Sequence, residues 1–186
     1  MRRMEIIVKG NPAPQGSKSF KGMRKIRGKL VPILVESSKA VKPWRAEVEH
    51  YAILASDGIK LPLTGALRVA MIFSVEKPKA KREWPSVFPD LSKYVRATED
   101  ALTKAGIWED DGRVVDCRAI KCYPKQLPRS CIHAGTMGPL DCPHCERMAV
   151  GHPLALTEPG ARIIIMEIDE PIASVGDNLS LFELSL

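Results

Sequence analysis

Long apolar runs are missing from this sequence. None reaches 18 residues, which excludes a transmembrane helix and a membrane partner. An export leader is not expected either. MRRMEIIVKG opens with two Arg, but few apolar residues follow and no small-residue cleavage motif appears. The reading is a cytoplasmic protein. Cysteine is sparse, at five in 186 residues. In a reducing compartment such thiols are buried residues or metal ligands rather than disulfides, and the chain is long enough to bury a core without them. Internal repeats and low-complexity tracts are also missing. Cations nearly vanish at the end: residues 161–186 hold Arg162 alone against Glu167, Asp169, Glu170, Asp177 and Glu183.

What is present is basic and concentrated. The formal net charge is +6, and residues 1–50 carry 12 Lys or Arg against 4 acids. A basic arm on an otherwise balanced chain points to a polyanion, most simply nucleic acid. A solvated, lysine-rich face is the alternative. Lys18, Lys21, Arg24, Lys25 and Arg27 cluster around Phe20, and Lys93 adds a cation on a later helix. Such cations give phosphate affinity without sequence information, and an aromatic among them can stack on an unpaired base.

Periodicity and turn signals give strands over Met4–Lys9, Lys29–Val35, Leu67–Ser74, Arg113–Cys122 and Ala161–Ile168. Gly10–Arg27 reads as a loop, as do the proline-bearing Glu76–Pro89 and the irregular Tyr123–Gly160. One helix is predicted over Trp44–Ala55, with Pro43 in its first turn and Ser37 or Ser38 as its cap. A second runs from Leu91 to Ala105, capped by Asp90 and stopped by Gly106. The predicted fold is α/β: a small mixed β-sheet with two main helices and a Cys/His-bearing insertion. Its expected limits are a single domain over residues 1–170, an insertion at 126–158 and an acidic tail at 171–186.

Plotted at about 100° per residue, Ser92, Arg96 and Glu99 share one face of the second helix within about 60°, with Asp100 at its edge. Leu91, Val95, Leu102 and Ala105 define a different, apolar face. Asp90 stands at the start of the polar stripe, and Glu109-Asp110-Asp111-Gly112 follows the helix. Carboxylates so grouped suit Mg²⁺, which takes oxygen ligands and keeps several waters. Three plainer roles stay open. Asp90 can be a cap, Asp-Asp-Gly a turn, and Arg96 a helical ion-pair partner.

The run from Pro89 to Val115, PDLSKYVRATEDALTKAGIWEDDGRVV, resembles the RusA-type Holliday junction resolvases, specifically phage-associated members. The similarity extends over roughly residues 4–122 and the last strand. The family pattern is an Asp-x-Asp helix start, a basic residue four positions on, Asp-Ala-Leu, a Gly-aromatic step, and Asp-Asp before a Val-Val strand. Lys121 fits the strand that follows, and GNPAPQGSKS and Lys-Pro-Trp-Arg fit the N-terminal region. The resemblance implies a homodimeric, Mg²⁺-dependent endonuclease acting on four-way DNA junctions. It puts metal-ligand roles on Asp90 and Asp111 and a catalytic basic role on Arg96. Ser92 stands where the family has its second Asp. Glu99, on the same helical face, is read as supplying the missing charge, with Asp110 as the second choice. A junction-binding protein with weakened or lost catalysis and a zinc-stabilised interaction module are the alternative readings.

The resemblance says nothing of residues 130–152, SCIHAGTMGPLDCPHCERMAVGH. Cys131-x-His133 and Cys142-x-x-Cys145 offer the four soft or borderline ligands of a structural Zn²⁺ site. His144 and His152 are alternative fourth ligands. Cys117, inside a strand, is read as a small buried hydrophobe.

Overall fold

The computed structural model describes residues 2–16, 18–36, 38–79, 82–128 and 142–168. Strands β1 (Arg3–Lys9), β2 (Lys18–Ile26), β3 (Lys29–Glu36), β4 (Ala66–Ser74), β5 (Val114–Cys122) and β6 (Gly160–Ile168) alternate with helices α1 (Val41–Ala55), α2 (Leu91–Lys104) and the short α3 (Pro143–Arg147). Four strands make one sheet in the order β1-β6-β4-β5. β6 is antiparallel to both β1 and β4, whereas β4 and β5 run parallel. Parallel neighbours need a crossover, and α2 is that crossover. The α/β reading therefore holds.

β4 is central, and Leu67 to Ser74 are all buried, as a strand covered on both faces must be. One face sets Val69, Met71, Phe73, Ile163 and Ile165 against Trp44, Val48 and Ala52 of α1 and Tyr94, Ala97, Ala101 and Leu102 of α2. The Phe73 and Tyr94 rings stack with centroids 5.5 Å apart. The other face sets Ala70, Ile72, Ile164 and Met166 against Cys122 and Ala155. Gly160 is forced by proximity, because a Cβ there would sit 2.3 Å from the Val8 carbonyl oxygen.

The two helices are also joined by polar links. Trp44 Nε1 donates to the buried Thr98 hydroxyl at 3.3 Å. Arg45 pairs with Asp100, and Lys104 with Glu49 at 2.8 Å. α2 ends as predicted at Gly106, which takes φ +73°. Gly106 N–H donates to the Thr103 carbonyl and Ile107 N–H to the Leu102 carbonyl, a paired closure of the last turn.

Several local expectations need correction. Gly10–Arg27 is only partly loop, because β2 pairs with β3 as a separate two-stranded hairpin. A register shift between Phe20 and Met23 breaks the alternation that would have betrayed the strand. Arg27 and Gly28, with φ of +48° and +80°, form the two-residue turn. α1 starts three residues early, at Val41. Its N-cap is Ala40 and it receives no side-chain cap, so Ser38 does not hold that position, and Ser37 lies outside the described residues. Asp90 occupies the N-cap position of α2, but its carboxylate makes no capping hydrogen bond. The buried face of α2 is centred on Tyr94, Ala97 and Ala101, while Leu91, Val95 and Ala105 are only partly covered. β5 starts at Val114, since Asp111–Arg113 is a 3₁₀ turn. Cys117 is exposed rather than buried, because its strand lies at the sheet edge.

Candidate functional site

The polar stripe of α2 faces a cleft of about 1160 Å³. Ser92, Arg96 and Glu99 line it from the helix, Cys117 and Ala119 from β5, and Gln15 and Gly16 from the loop after β1. The sheet dictates this meeting. α2 lies over the crossover between β4 and β5, so the outward residues of the edge strand look onto the helix flank. The loop after β1 is tied in by Gln15 N–H, which donates to the Lys93 carbonyl at 2.9 Å. The Gln15 side-chain oxygen is shielded from solvent and has no donor among the described residues. Buried acceptors are rarely left without a partner, so Gln15 offers the cleft an unused polar group. The sequence carried no signal for it beyond its loop composition.

Glu99 is the electrostatic centre of the cleft. Its carboxyl is raised above the ordinary value first by burial, then by the negative charges of Asp111 and Asp100. Arg96, one turn away, acts in the opposite direction. Cys117 keeps one side open to solvent, but the protein packed around its thiol desolvates it in part and pushes it up to about 11, with Glu99 and Asp116 adding to the shift, so it stays a thiol at neutral pH. Arg96 is exposed and pairs with no carboxylate among the described residues. Its guanidinium is available to an anion entering the cleft.

The remaining acids are placed differently. Asp100 is held by Arg45 on α1. Asp110 caps the 3₁₀ turn, its Oδ1 accepting from Gly112 N–H at 2.8 Å. Asp90 sits nine residues before Glu99, about 14 Å along a helix that rises 1.5 Å per residue. Lys93 approaches Asp90 at 3.3 Å and also lies 5.4 Å from the Phe88 ring centroid. Lys121 donates to the carbonyls of Val87 and Pro89, each at 2.7 Å, and so ties the approach to Asp90 onto β5. Burial lowers the Lys121 ammonium, while Asp90 opposes that shift. Among the described residues no three His, Cys, Asp or Glu side chains gather as one metal site. The acids thus form two groups, Glu99 with Asp111 towards one end of α2 and Asp90 with its lysines at the other. Glu99 lies two turns beyond Ser92, about 10 Å along the axis, so it adds charge at a different point from a carboxylate at position 92.

The hairpin β2–β3 carries Lys21, Arg24, Lys25, Arg27 and Lys29, together with an exposed Phe20. The side chain of Lys18 lies outside the described residues. So do Cys131 and His133, while Cys142 and Cys145 are both buried at the start of α3. His152 spends its Nδ1 as acceptor for Leu154 N–H at 3.2 Å.

A family model described as Endodeoxyribonuclease RusA matches residues 9–133. A curated protein named crossover junction endodeoxyribonuclease rusA, from Enterobacteria phage 82, is 56% identical over 32 residues. Those residues are 17% of this chain and 27% of the phage protein, so the match spans about a quarter of that relative.

Proposed function

The chain belongs to the RusA endodeoxyribonuclease family, and on that footing we propose that it is a Mg²⁺-dependent endonuclease that hydrolyses phosphodiester bonds in four-way DNA junctions. The observation that carries the reading is the single cleft in which Arg96 faces outward beside Glu99, itself electrostatically coupled to Asp111.

The donor set suits a hard cation. A carboxylate whose proton affinity is raised by burial and by neighbouring negative charge is relieved by a positive ion, and hydrated Mg²⁺ needs few protein oxygens. Glu99 and Asp111 would hold it, with Asp110 as a further oxygen donor, while Asp90, about 14 Å along α2 from Glu99, would offer its carboxylate at a separate point. When bound, such an ion supplies water activation and neutralises charge on the leaving oxygen. The chain's own residues do the rest. Arg96 binds a phosphate oxygen and stabilises charge as it grows in the transition state. Lys93 and the hairpin cations hold flanking phosphates and set the register. The active form is a homodimer, which presents two clefts to the two strands to be cut.

The test is a labelled four-way junction incubated with Mg²⁺ and either the parent chain or Asp111→Asn. Cleavage by the parent, lost in the variant with junction binding kept, is the expected result. A parent that binds without cutting would instead support a junction-binding protein with lost catalysis. Ser92 and the absence of a three-acid group among the described residues favour that second reading.

Cys142 and Cys145, with Cys131 and His133, are proposed ligands of a structural Zn²⁺ that orders residues 126–158 as an insertion in a domain of residues 1–170. Metal analysis should find about one zinc per chain. A metal-free protein that folds normally would remove it.

A further inference from the structure

A second aromatic surface lies outside the cleft. Next to the end of β5 is an open groove of about 780 Å³, lined by Lys77, Trp84, Tyr123, Pro124, Gly151 and Pro153. Trp84 is 57% exposed, unusual for the largest apolar side chain and unlike the buried Trp44 and Trp108. The Lys77 ammonium sits 5.5 Å from the Tyr123 ring centroid. The Tyr123 hydroxyl donates to the Trp84 carbonyl at 3.4 Å, which couples the loop bearing Trp84 to β5. Lys77, Lys79 and Arg82 are exposed and make no ion pair among the described residues, while Glu83 is the acid on the rim. Tyr123 also lines a smaller cleft of about 360 Å³ that reaches Phe88, Pro89 and Lys121. The groove therefore adjoins the N-terminal end of α2.

We propose that this groove is a single-strand subsite, in which an unpaired DNA base stacks on Trp84 while Lys77 takes its flanking phosphate, with Lys79 and Arg82 as further exposed cations on the same loop. Tyr123 is buried beneath Lys77 and braces the groove rather than stacking on the base. A flat exposed ring supplies sequence-tolerant stacking, and cations near it favour a polyanion over an apolar peptide. The subsite deepens the junction reading and rests on it for the choice of nucleic acid. A strand leaving the polar stripe of α2 beyond Asp90 runs onto it, so the groove holds the nucleotides that are unpaired at a branch.

Tryptophan emission reads the subsite without cleavage, because Trp84 is the exposed one of three tryptophans. The full chain is titrated with a short oligodeoxythymidylate and, separately, with a four-way junction. Emission and fluorescence anisotropy of the labelled DNA are followed together. Quenching that saturates with binding of the oligonucleotide is expected. Trp84→Leu should abolish the quench and weaken oligonucleotide binding about tenfold, and Trp84→Phe should restore most of the affinity. Normal circular dichroism of both variants excludes misfolding. If the junction is bound and cut without a Trp84 quench, and Trp84→Leu binds the oligonucleotide as well as the parent, the subsite is overturned and the nuclease reading stands. If neither DNA binds, both fall. Quenching by a proline-rich peptide but not by DNA would overturn it in favour of a protein partner.

Discussion

At the scale of single residues, charge placement decides what the cleft can do. Glu99 is a half-buried acid whose proton is held more tightly in the folded chain than in water, through burial and through Asp111 and Asp100. Between the ordinary value of 4.5 and the raised folded one, the native state binds more protons than the unfolded state. Stability contributed by this group is therefore present at low pH and lost as pH rises through that window. Melting curves of the parent and of Glu99→Gln should diverge in that direction, the variant gaining relative stability as pH rises above 4.5. A parallel pair of curves would mean that Glu99 is not desolvated. Arg96→Gln should leave melting nearly unchanged, since Arg96 forms no ion pair among the described residues, yet lower cleavage by about 100-fold or more. Single-turnover rates with saturating junction check this.

Secondary elements show where sequence reasoning succeeds and where it stops. α2 and its acidic turn were legible because the chemistry is local: a 3.6-residue stripe, a stop glycine and an Asp-Asp-Gly turn lie within some two dozen residues. The Gly106 stop is also testable. Its φ of +73° carries a penalty for any residue with a Cβ, and nothing lies within 4 Å of that position, so the cost is purely conformational. Gly106→Ala should cost about 1 kcal/mol, read as a lowered melting temperature. Lys29–Val35 was legible as a strand, but its partner β2 escaped notice because its bulge and its cations mask the alternation on which strand recognition depends. The exposure of Cys117 was hidden for another reason: whether a strand is central or at an edge is set by partners far away in the chain. The β2–β3 hairpin stands apart from the main sheet and bears its cations in the open. Replacing Arg24 and Lys25 together by Gln should reduce the slope of log binding constant against log salt by about 2. Anisotropy across a salt series measures it.

On the scale of the whole molecule, parallel pairing of β4 and β5 is what turns a sequence motif into a site. It forces the chain through α2 and back along the sheet edge, which brings Asp111 into electrostatic reach of Glu99 across 12 residues. The division of the acids into an Asp90 group and a Glu99–Asp111 group was not legible, because helical spacing fixes angle and rise but not what the neighbouring strand contributes. In the proposed mechanism Glu99 and Asp111 work as one unit on a DNA phosphate. It is tested most directly by single-turnover cleavage of a saturating four-way junction by the parent, Glu99→Gln, Asp111→Asn and the double variant. Loss in the double variant no greater than in the worse single variant is the predicted result, as expected for residues that act together. Losses that multiply, or a parent that leaves the junction intact in Mg²⁺, would contradict it.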